Sequence, residues 1–150
     1  MSFDLERIKL KHHTYMHVAK AISLLGTCKR LKVGAVILRT DGSVASTGYN
    51  GAPHGMKHCT YDTCNTNSRC IHTIHAEENA LRFATGELLT AYLTHEPCLN
   101  CTRDLAMRGV KTIMYESPYT SMPDNEKLER EEIMTHFNIS LIELINDTSS

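Results

Sequence analysis

The sequence predicts an α/β fold, a three-layer α/β/α sandwich around a mixed sheet of about five strands. Two observations lead to this class. Strand-like and helix-like segments alternate after residue 75, which favours parallel strands with helices on both faces of one sheet, and two apolar runs before residue 50 indicate an antiparallel hairpin. The length of 150 residues is that of one ordinary domain, so we expect a single domain over 1–150.

The individual elements follow from hydrophobic periodicity. Apolar residues near helical spacing predict an amphipathic helix over about 4–25, which ends at Gly26. Strands are expected at 33–38 and 44–49, joined by the turn Thr40-Asp41-Gly42-Ser43, and a long loop rich in Gly, Pro, Asn, Cys and His spans 50–73. The remaining elements are a helix over 75–85, a strand over 91–94, a helix over 98–108, a strand over 112–115, a helix over 125–137 and a strand over 139–145.

Composition and charge exclude several classes of partner. Hydrophobic residues make up 41% and charged residues 22%, as in globular proteins, and a net charge of -1 argues against a broad basic face for a nucleic acid polymer. Nowhere do eighteen apolar residues run together, and the first residues, MSFDLERIKLKHH, place charges where a signal peptide needs an apolar segment. We therefore expect a cytoplasmic protein with no membrane segment.

The spacing of the cysteines indicates a metal site. Six cysteines in an intracellular chain are unsuited to structural disulfides, because reducing compartments keep thiols free. Cys98 and Cys101 form a Cys-x-x-Cys pair where one helix should begin, and His75 stands where the preceding helix should begin. Zinc binds cysteine sulfur and histidine nitrogen, and a catalytic zinc has three protein ligands and one open position. These three residues are the predicted ligands.

Glu77 is the predicted general acid and base. It stands two residues after His75, so its carboxylate can reach a zinc-bound water without itself being a ligand. Each half of the pattern is ambiguous alone, because His-x-Glu occurs by chance and Cys-x-x-Cys also forms redox pairs and structural zinc sites. The two halves in this order, with Pro97 before Cys98, match the signature of zinc nucleobase deaminases.

Four blocks of sequence resemble the zinc-dependent cytidine deaminase superfamily and, within it, the deoxycytidylate (dCMP) deaminases of phage and bacterial type. The blocks are VGAVI at 33–37, GYNGAPHG at 48–55, HAEENA at 75–80 and PCLNC at 97–101. The zinc motifs belong to the whole superfamily, whereas the second block is similar to dCMP deaminases in particular. The resemblance implies a cytidine deaminase-like fold and hydrolytic deamination of dCMP to dUMP and ammonia, which supplies thymidylate synthesis without an organic cofactor.

The same matching implies contacts with the substrate. Asn50 resembles the residue that contacts the deoxyribose, and Tyr119 resembles an aromatic residue near the substrate. Phe83 falls on a family aromatic position, although an aromatic at helical spacing is more often part of the core. Arg82 lies two helical turns beyond His75 and is the candidate for the 5'-phosphate, with plain surface exposure as the alternative. Weaker phosphate candidates are Arg30, Lys32 and Arg103.

The remaining cysteines suggest a second metal. Similar dCMP deaminases carry a structural zinc with ligands from the segment before the first strand and from the long loop. By that resemblance the ligands are Cys28, Cys59, Cys64 and Cys70, and His72 or His58 can replace one of them. The alternative is that these cysteines are reduced, buried thiols.

Regulation and assembly are expectations from the resemblance. Many dCMP deaminases are hexamers activated by dCTP and inhibited by dTTP, with the effector near the loop that begins at Gly48. Gly48, Tyr49 and Gly51 would approach a triphosphate and its Mg²⁺, and Arg30 and Lys32 would neutralise charge. The competing functions are a deaminase acting on dCTP, free cytidine, a riboflavin precursor or adenosine in tRNA, and a non-catalytic zinc-binding module.

Overall fold

The computed structural model of the chain describes residues 2–28, 31–56 and 73–145. Within these ranges four helices and five strands form. In chain order they are α1 (Ser2–Ser23), β1 (Gly34–Arg39), β2 (Val44–Tyr49), α2 (Ala76–Phe83), β3 (Leu88–His95), α3 (Leu99–Met107), β4 (Thr112–Ser117), α4 (Asp124–Phe137) and β5 (Ser140–Glu143). None of the described helices has the length and apolar character needed to cross a bilayer.

The five strands form one mixed sheet in the order β2-β1-β3-β4-β5. The hairpin places β1 antiparallel to β2, and β1 also runs antiparallel to β3. The pairs β3 with β4 and β4 with β5 are parallel, because α3 and α4 carry the chain back to the same end of the sheet before each new strand. The predicted hairpin and mixed sheet are confirmed.

Alternating side chains of the central strands build a core on each face of the sheet. On one face, Ala35 and Ile37 of β1 pack in a cluster with residues of α2 and α3. On the other face, Val36 of β1 packs with Met16 and Ala19 of α1. Helix α4 lies beside α3. The sheet is therefore covered on both sides, which confirms the three-layer prediction.

Two predictions about the helices are wrong in detail. The predicted apolar stripe of α1 is not all buried, because Ala19 is inaccessible whereas Leu5, Ile8, Val18 and Leu25 are 63%, 48%, 37% and 59% exposed. The N-terminal half of α1 thus extends past the part of the sheet that it covers. Helix α2 ends at Phe83 instead of residue 85, and the chain then turns through Gly86, whose φ of 84° favours glycine.

The backbone of α2 lies directly on strand β2 at Gly48. A Cβ atom on Gly48 would come within 2.4 Å of the carbonyl oxygen of Ala76 and 2.6 Å of the backbone nitrogen of Ala80. Two hydrogen bonds join the same elements: Ser46 Oγ donates to the Ala80 carbonyl oxygen at 2.6 Å, and Asn79 Nδ2 donates to the Tyr49 carbonyl oxygen at 2.9 Å. Together these contacts fix the start of α2 relative to the sheet.

We predict that Gly48→Ala lowers the free energy of unfolding by about 1–3 kcal/mol, because the added methyl group forces α2 away from β2. Urea denaturation measures the change. Thr47→Ala is the control, since the neighbouring Thr47 side chain is exposed and its loss should change stability by about 0.5 kcal/mol or less. Equal stability of Gly48→Ala and the native chain would contradict the close contact.

Candidate metal centre and active site

His75, Cys98 and Cys101 converge at the N-termini of two helices. His75 is the N-cap residue of α2, Cys98 is the N-cap residue of α3, and Cys101 lies in the first turn of α3. The His75 Nδ1 atom lies 3.2 Å from Cys101 Sγ and 3.8 Å from Cys98 Sγ. All three potential ligand atoms lie within 4.8 Å of one another. The structure therefore brings together the three residues that the sequence motifs single out.

The spacing of these three atoms fits a zinc ion. With Zn–N and Zn–S bonds of about 2.0 and 2.3 Å, a tetrahedral site separates nitrogen from sulfur by about 3.5 Å. The observed separations of 3.2 and 3.8 Å lie on either side of that value. One imidazole and two thiols are also a donor set that zinc prefers over magnesium or calcium. The cluster can hold zinc with three protein ligands, which leaves a fourth position for water.

The two thiols share their protons unequally. Hydrogen bonding to Cys101, helped by His75, lowers the pKa of Cys98 to about 3 even though burial acts in the opposite direction. Hydrogen bonding to Cys98 and burial raise the pKa of Cys101. Hydrogen bonding between the two sulfurs thus favours one thiolate and one thiol in the metal-free cluster, and a bound metal would displace the remaining proton. The position of Cys98 at a helix N-terminus favours the same charge.

Residues that precede and follow His75 in the sequence hold it in place. The residue before it, Ile74, exchanges two backbone hydrogen bonds with Gly51 at 2.8 and 3.1 Å, so the two ends of the long loop meet beside the cluster. On the helical side, the His75 backbone nitrogen donates to the Glu78 carboxylate at 3.4 Å. The two ends of the loop and the first turn of α2 thus jointly position the imidazole of His75.

Glu77 lies in the first turn of α2 and is 5% exposed. Burial raises the pKa of Glu77, and hydrogen bonding to Cys101 partly offsets that effect. A buried carboxyl group with a raised pKa holds a proton more readily than an exposed one, which suits a residue that carries protons. Glu77 is therefore placed beside the cluster as a proton carrier.

Comparison with known proteins identifies the family. The sequence profile described as the cytidine and deoxycytidylate deaminase zinc-binding region matches residues 9–117. The chain belongs to this family. The ComE operon protein 2 of Bacillus subtilis is 34% identical over 149 residues, which cover 95% of this chain and 78% of that protein.

Two further relatives extend the comparison. The deoxycytidylate deaminase of Mycobacterium phage D29 is 35% identical over 117 residues, covering 67% of this chain and 90% of the phage protein. The crystal structure of a dCMP deaminase from the cyanophage S-TIM5, in complex with dCMP and dUMP, superposes with a TM-score of 0.71 and 27% identity. That match covers 88% of this chain and 95% of the cyanophage chain. The deaminase fold predicted from the motifs is thus confirmed.

The predicted sugar-binding residue Asn50 is buried and holds neighbouring backbone. Its Oδ1 accepts from the backbone nitrogen of Val33 at 2.8 Å, and its Nδ2 donates to the carbonyl oxygen of Leu31 at 2.7 Å. Asn50 thereby fixes the chain that enters β1. Tyr119 follows β4 and is half-buried, and its backbone nitrogen donates to Glu96 Oε1 at 2.9 Å. Both positions remain predictions as substrate contacts.

The predicted phosphate and aromatic residues on the helices are exposed. Phe83 is 70% exposed, so the alternative interpretation, that Phe83 belongs to the hydrophobic core, is wrong. Arg82 is exposed and donates to Asn79 Oδ1 at 3.4 Å, and Arg103 donates to Asn100 Oδ1 at 3.3 Å. These arginines are available to an anion, and their role in phosphate binding stays a prediction.

The predicted effector residues lie around two different features. Gly48 contacts α2 and Gly51 bridges to Ile74, so both have packing roles, while Tyr49 is 39% exposed. Lys32 lines an open cavity of about 430 Å³ on the α1 face of the sheet, which also contains Lys20. The Lys32 ammonium donates to the Leu24 carbonyl oxygen at 3.3 Å.

The residues of the proposed second zinc site are largely outside the described ranges. Cys28 is described and is buried. The other members of that prediction, and one effector candidate, lie outside the described residues: Cys59, Cys64, Cys70, His58, His72 and Arg30. Among the described residues, the cluster of His75, Cys98 and Cys101 is the one group with metal-binding geometry.

We predict that Cys101→Ser weakens zinc binding at this cluster by at least about tenfold, because an alcohol oxygen replaces a thiolate that lies among the ligand atoms. Competition with a chromophoric chelator measures the affinity. Asn100→Ser is the control, since Asn100 directly precedes Cys101 in the first turn of α3 and is exposed. Unchanged zinc affinity in Cys101→Ser would show that Cys101 is not a ligand.

Proposed function

We propose that this protein catalyses the hydrolytic deamination of dCMP to dUMP and ammonia, which supplies dUMP for thymidylate synthesis. The observation that carries the proposal is the buried carboxyl group of Glu77 beside the cluster of His75, Cys98 and Cys101. Support for dCMP as the substrate comes from the phage D29 relative, a deoxycytidylate deaminase, and from the cyanophage structure with dCMP and dUMP.

The chemistry divides between a metal and this chain's own residues. Zinc held at the cluster would lower the pKa of a bound water, which would make that water a nucleophile towards C4 of the cytosine ring. Glu77 would accept a proton from that water, because its buried carboxyl group lies beside the cluster and hydrogen-bonds to Cys101. The same residue would then deliver that proton to N3, and it would carry the second proton of the added water from the oxygen on C4 to the 4-amino group, which leaves as ammonia. No organic cofactor is required in this scheme.

Substrate recognition is assigned to residues around this centre. We assign the deoxyribose to Asn50, aromatic contacts with the substrate to Tyr119 and Phe83, and the 5'-phosphate to Arg82. The exposure of Arg82 favours the last assignment, because an exposed guanidinium can turn its planar fork towards phosphate oxygens. The spare lone pair and N–H of the Asn50 amide remain available to a hydroxyl group, since each of its atoms makes one described hydrogen bond.

The proposal also covers the regulation, assembly and location of the protein. We propose a cytoplasmic homo-oligomer, a hexamer, activated by dCTP and inhibited by dTTP with Mg²⁺ bound to the triphosphate. A reducing compartment suits a site that needs free cysteines. The effector would contact Tyr49 and the loop that follows it, with Lys32 and Arg30 as the cations.

Ammonia release from dCMP, dCTP, deoxycytidine and cytidine tests the activity, with and without dCTP or dTTP as effectors. We expect turnover of dCMP, and we expect Glu77→Gln to lower kcat by about 10²- to 10⁴-fold while zinc is retained. Glu87→Gln is the control, because Glu87 is an exposed carboxylate between α2 and β3.

Full activity of Glu77→Gln would overturn the mechanism. A zinc-loaded protein that is silent on all four substrates would overturn the proposed function. Adenosine deamination in tRNA would then be assayed, and a second silent result would favour a non-catalytic zinc-binding module.

The second zinc is tested by metal content. If Cys28 belongs to a structural site with Cys59, Cys64 and Cys70, the native protein holds two zinc ions per chain and Cys28→Ser holds about one. Cys101→Ser also lowers the content, and the double variant Cys28→Ser/Cys101→Ser lowers it further. Mass spectrometry under native conditions counts the ions. One zinc in the native protein and in Cys28→Ser alike would mean that Cys28 is a buried thiol.

A further inference from the structure

A charged pair is buried behind the metal cluster. Arg130 of α4 is 4% exposed, and its Nη2 lies 2.6 Å from Glu96 Oε2, whose side chain is 10% exposed. Arg130 is also the one buried residue of α4. At this position α4 therefore contacts the rest of the protein through a charged side chain and not through an apolar one.

The hydrogen bonds of this pair reach both segments that flank the site. Arg130 Nη1 donates to the carbonyl oxygen of Pro97 at 3.0 Å, and Pro97 directly precedes the cluster residue Cys98. Glu96 Oε1 accepts from the backbone nitrogen of Tyr119 at 2.9 Å, and the Glu96 backbone nitrogen donates to the Ser117 carbonyl oxygen at 2.8 Å. One ion pair therefore connects α4, the residue before Cys98 and the segment after β4.

Stability alone does not explain an ion pair in this place. The attraction within a buried ion pair offsets little more than the cost of removing both charges from water. An apolar pair of similar volume often gives the same stability. Here the Nε of Arg130 is also buried without a hydrogen-bond partner among the described residues, which adds to that cost. The fork of the guanidinium does, however, fix two partners in one plane, which an apolar side chain cannot do.

We propose that Arg130 and Glu96 are positioning residues that hold Cys98 in ligand geometry and, through the same carboxylate, hold the Tyr119 segment beside it. Neither side chain needs to touch the substrate. Partners one step removed from a metal ligand set its orientation, and their loss typically weakens metal binding by about 10- to 100-fold. The metal part of this inference is independent of the proposed reaction, whereas the part concerning Tyr119 rests on it.

The test compares two arginine variants. Arg130→Met removes the donor to Pro97, and we expect zinc affinity at the cluster to fall about tenfold or more. Arg108→Met is the matched control, because Arg108 also joins two elements. It follows α3 as the C-cap residue and donates to the backbone carbonyl oxygens of Leu81 and Ala84 at the C-terminal end of α2. The control should lose stability and keep zinc affinity. The zinc scored by chelator competition is the one whose binding Cys101→Ser weakens.

Folding is checked separately, since Arg130→Met leaves the Glu96 carboxylate buried and unpaired. Circular dichroism and thermal unfolding define a temperature at which every variant is folded, and affinities are compared there. If Arg130→Met does not fold, Glu96→Gln/Arg130→Met removes both charges and should show the same loss of zinc affinity. Arg130→Lys keeps the charge but not the fork, so an intermediate affinity is expected.

A zinc affinity of Arg130→Met, or of the double variant where only that folds, within twofold of Arg108→Met would overturn the proposal. Kinetics on dCMP provide the second readout: we expect Arg130→Met to raise KM as well as lower kcat, because the Tyr119 segment loosens. Absence of turnover in the native protein would refute the proposed reaction and leave the zinc comparison intact. Weaker zinc binding with unchanged KM would overturn the part that concerns Tyr119.

Discussion

The backbone contact between α2 and strand β2 at Gly48 is the constraint on which the site depends. Ala76 and Ala80 of α2 approach Gly48 more closely than any side chain would allow. That approach sets the distance of α2 from the sheet and so the height of His75 and Glu77 above it. Helix α3 reaches the same place by following β3, and the two helix N-termini meet where the sheet ends. The site is thus a consequence of how closely one helix packs.

Negative charge accumulates where these helices begin. Hydrogen bonding within the cluster lowers the pKa of Cys98, and negative charge on Cys98 acts with burial to raise the pKa of Glu77. Further out, burial and the charges of Glu78 and Cys98 raise the pKa of Asp104. Two helix N-termini offset part of this charge, and a divalent cation at the cluster would offset more. Electrostatics and ligand geometry therefore favour the same occupant.

The parts of this arrangement that could be predicted from sequence are those set by local pattern. Cys98 and Cys101 share the first turn of a helix, so their spacing alone brings both sulfurs together, and the elements of the sheet follow from periodicity. The exposure of Phe83 and of the N-terminal half of α1 was not predictable in this way, because a helical pattern does not say how far the sheet extends beneath it. Arg130 was missed for a related reason. Its helix reads DNEKLEREEIMTHF, with charges on every side, and only the position of Glu96 determines which one turns inward.

The ion pair of Glu96 and Arg130 also bears on where the deaminase unit ends. The family profile matches residues 9–117 and so includes every member of the metal cluster, Glu77 and Glu96, but it stops before α4. The guanidinium that neutralises Glu96 comes from outside the matched region. A shortened protein or a chimera that keeps the motifs and replaces everything after residue 117 would carry an unneutralised carboxylate beneath its own metal ligands. The region that the family profile matches therefore lacks the cation that pairs with Glu96.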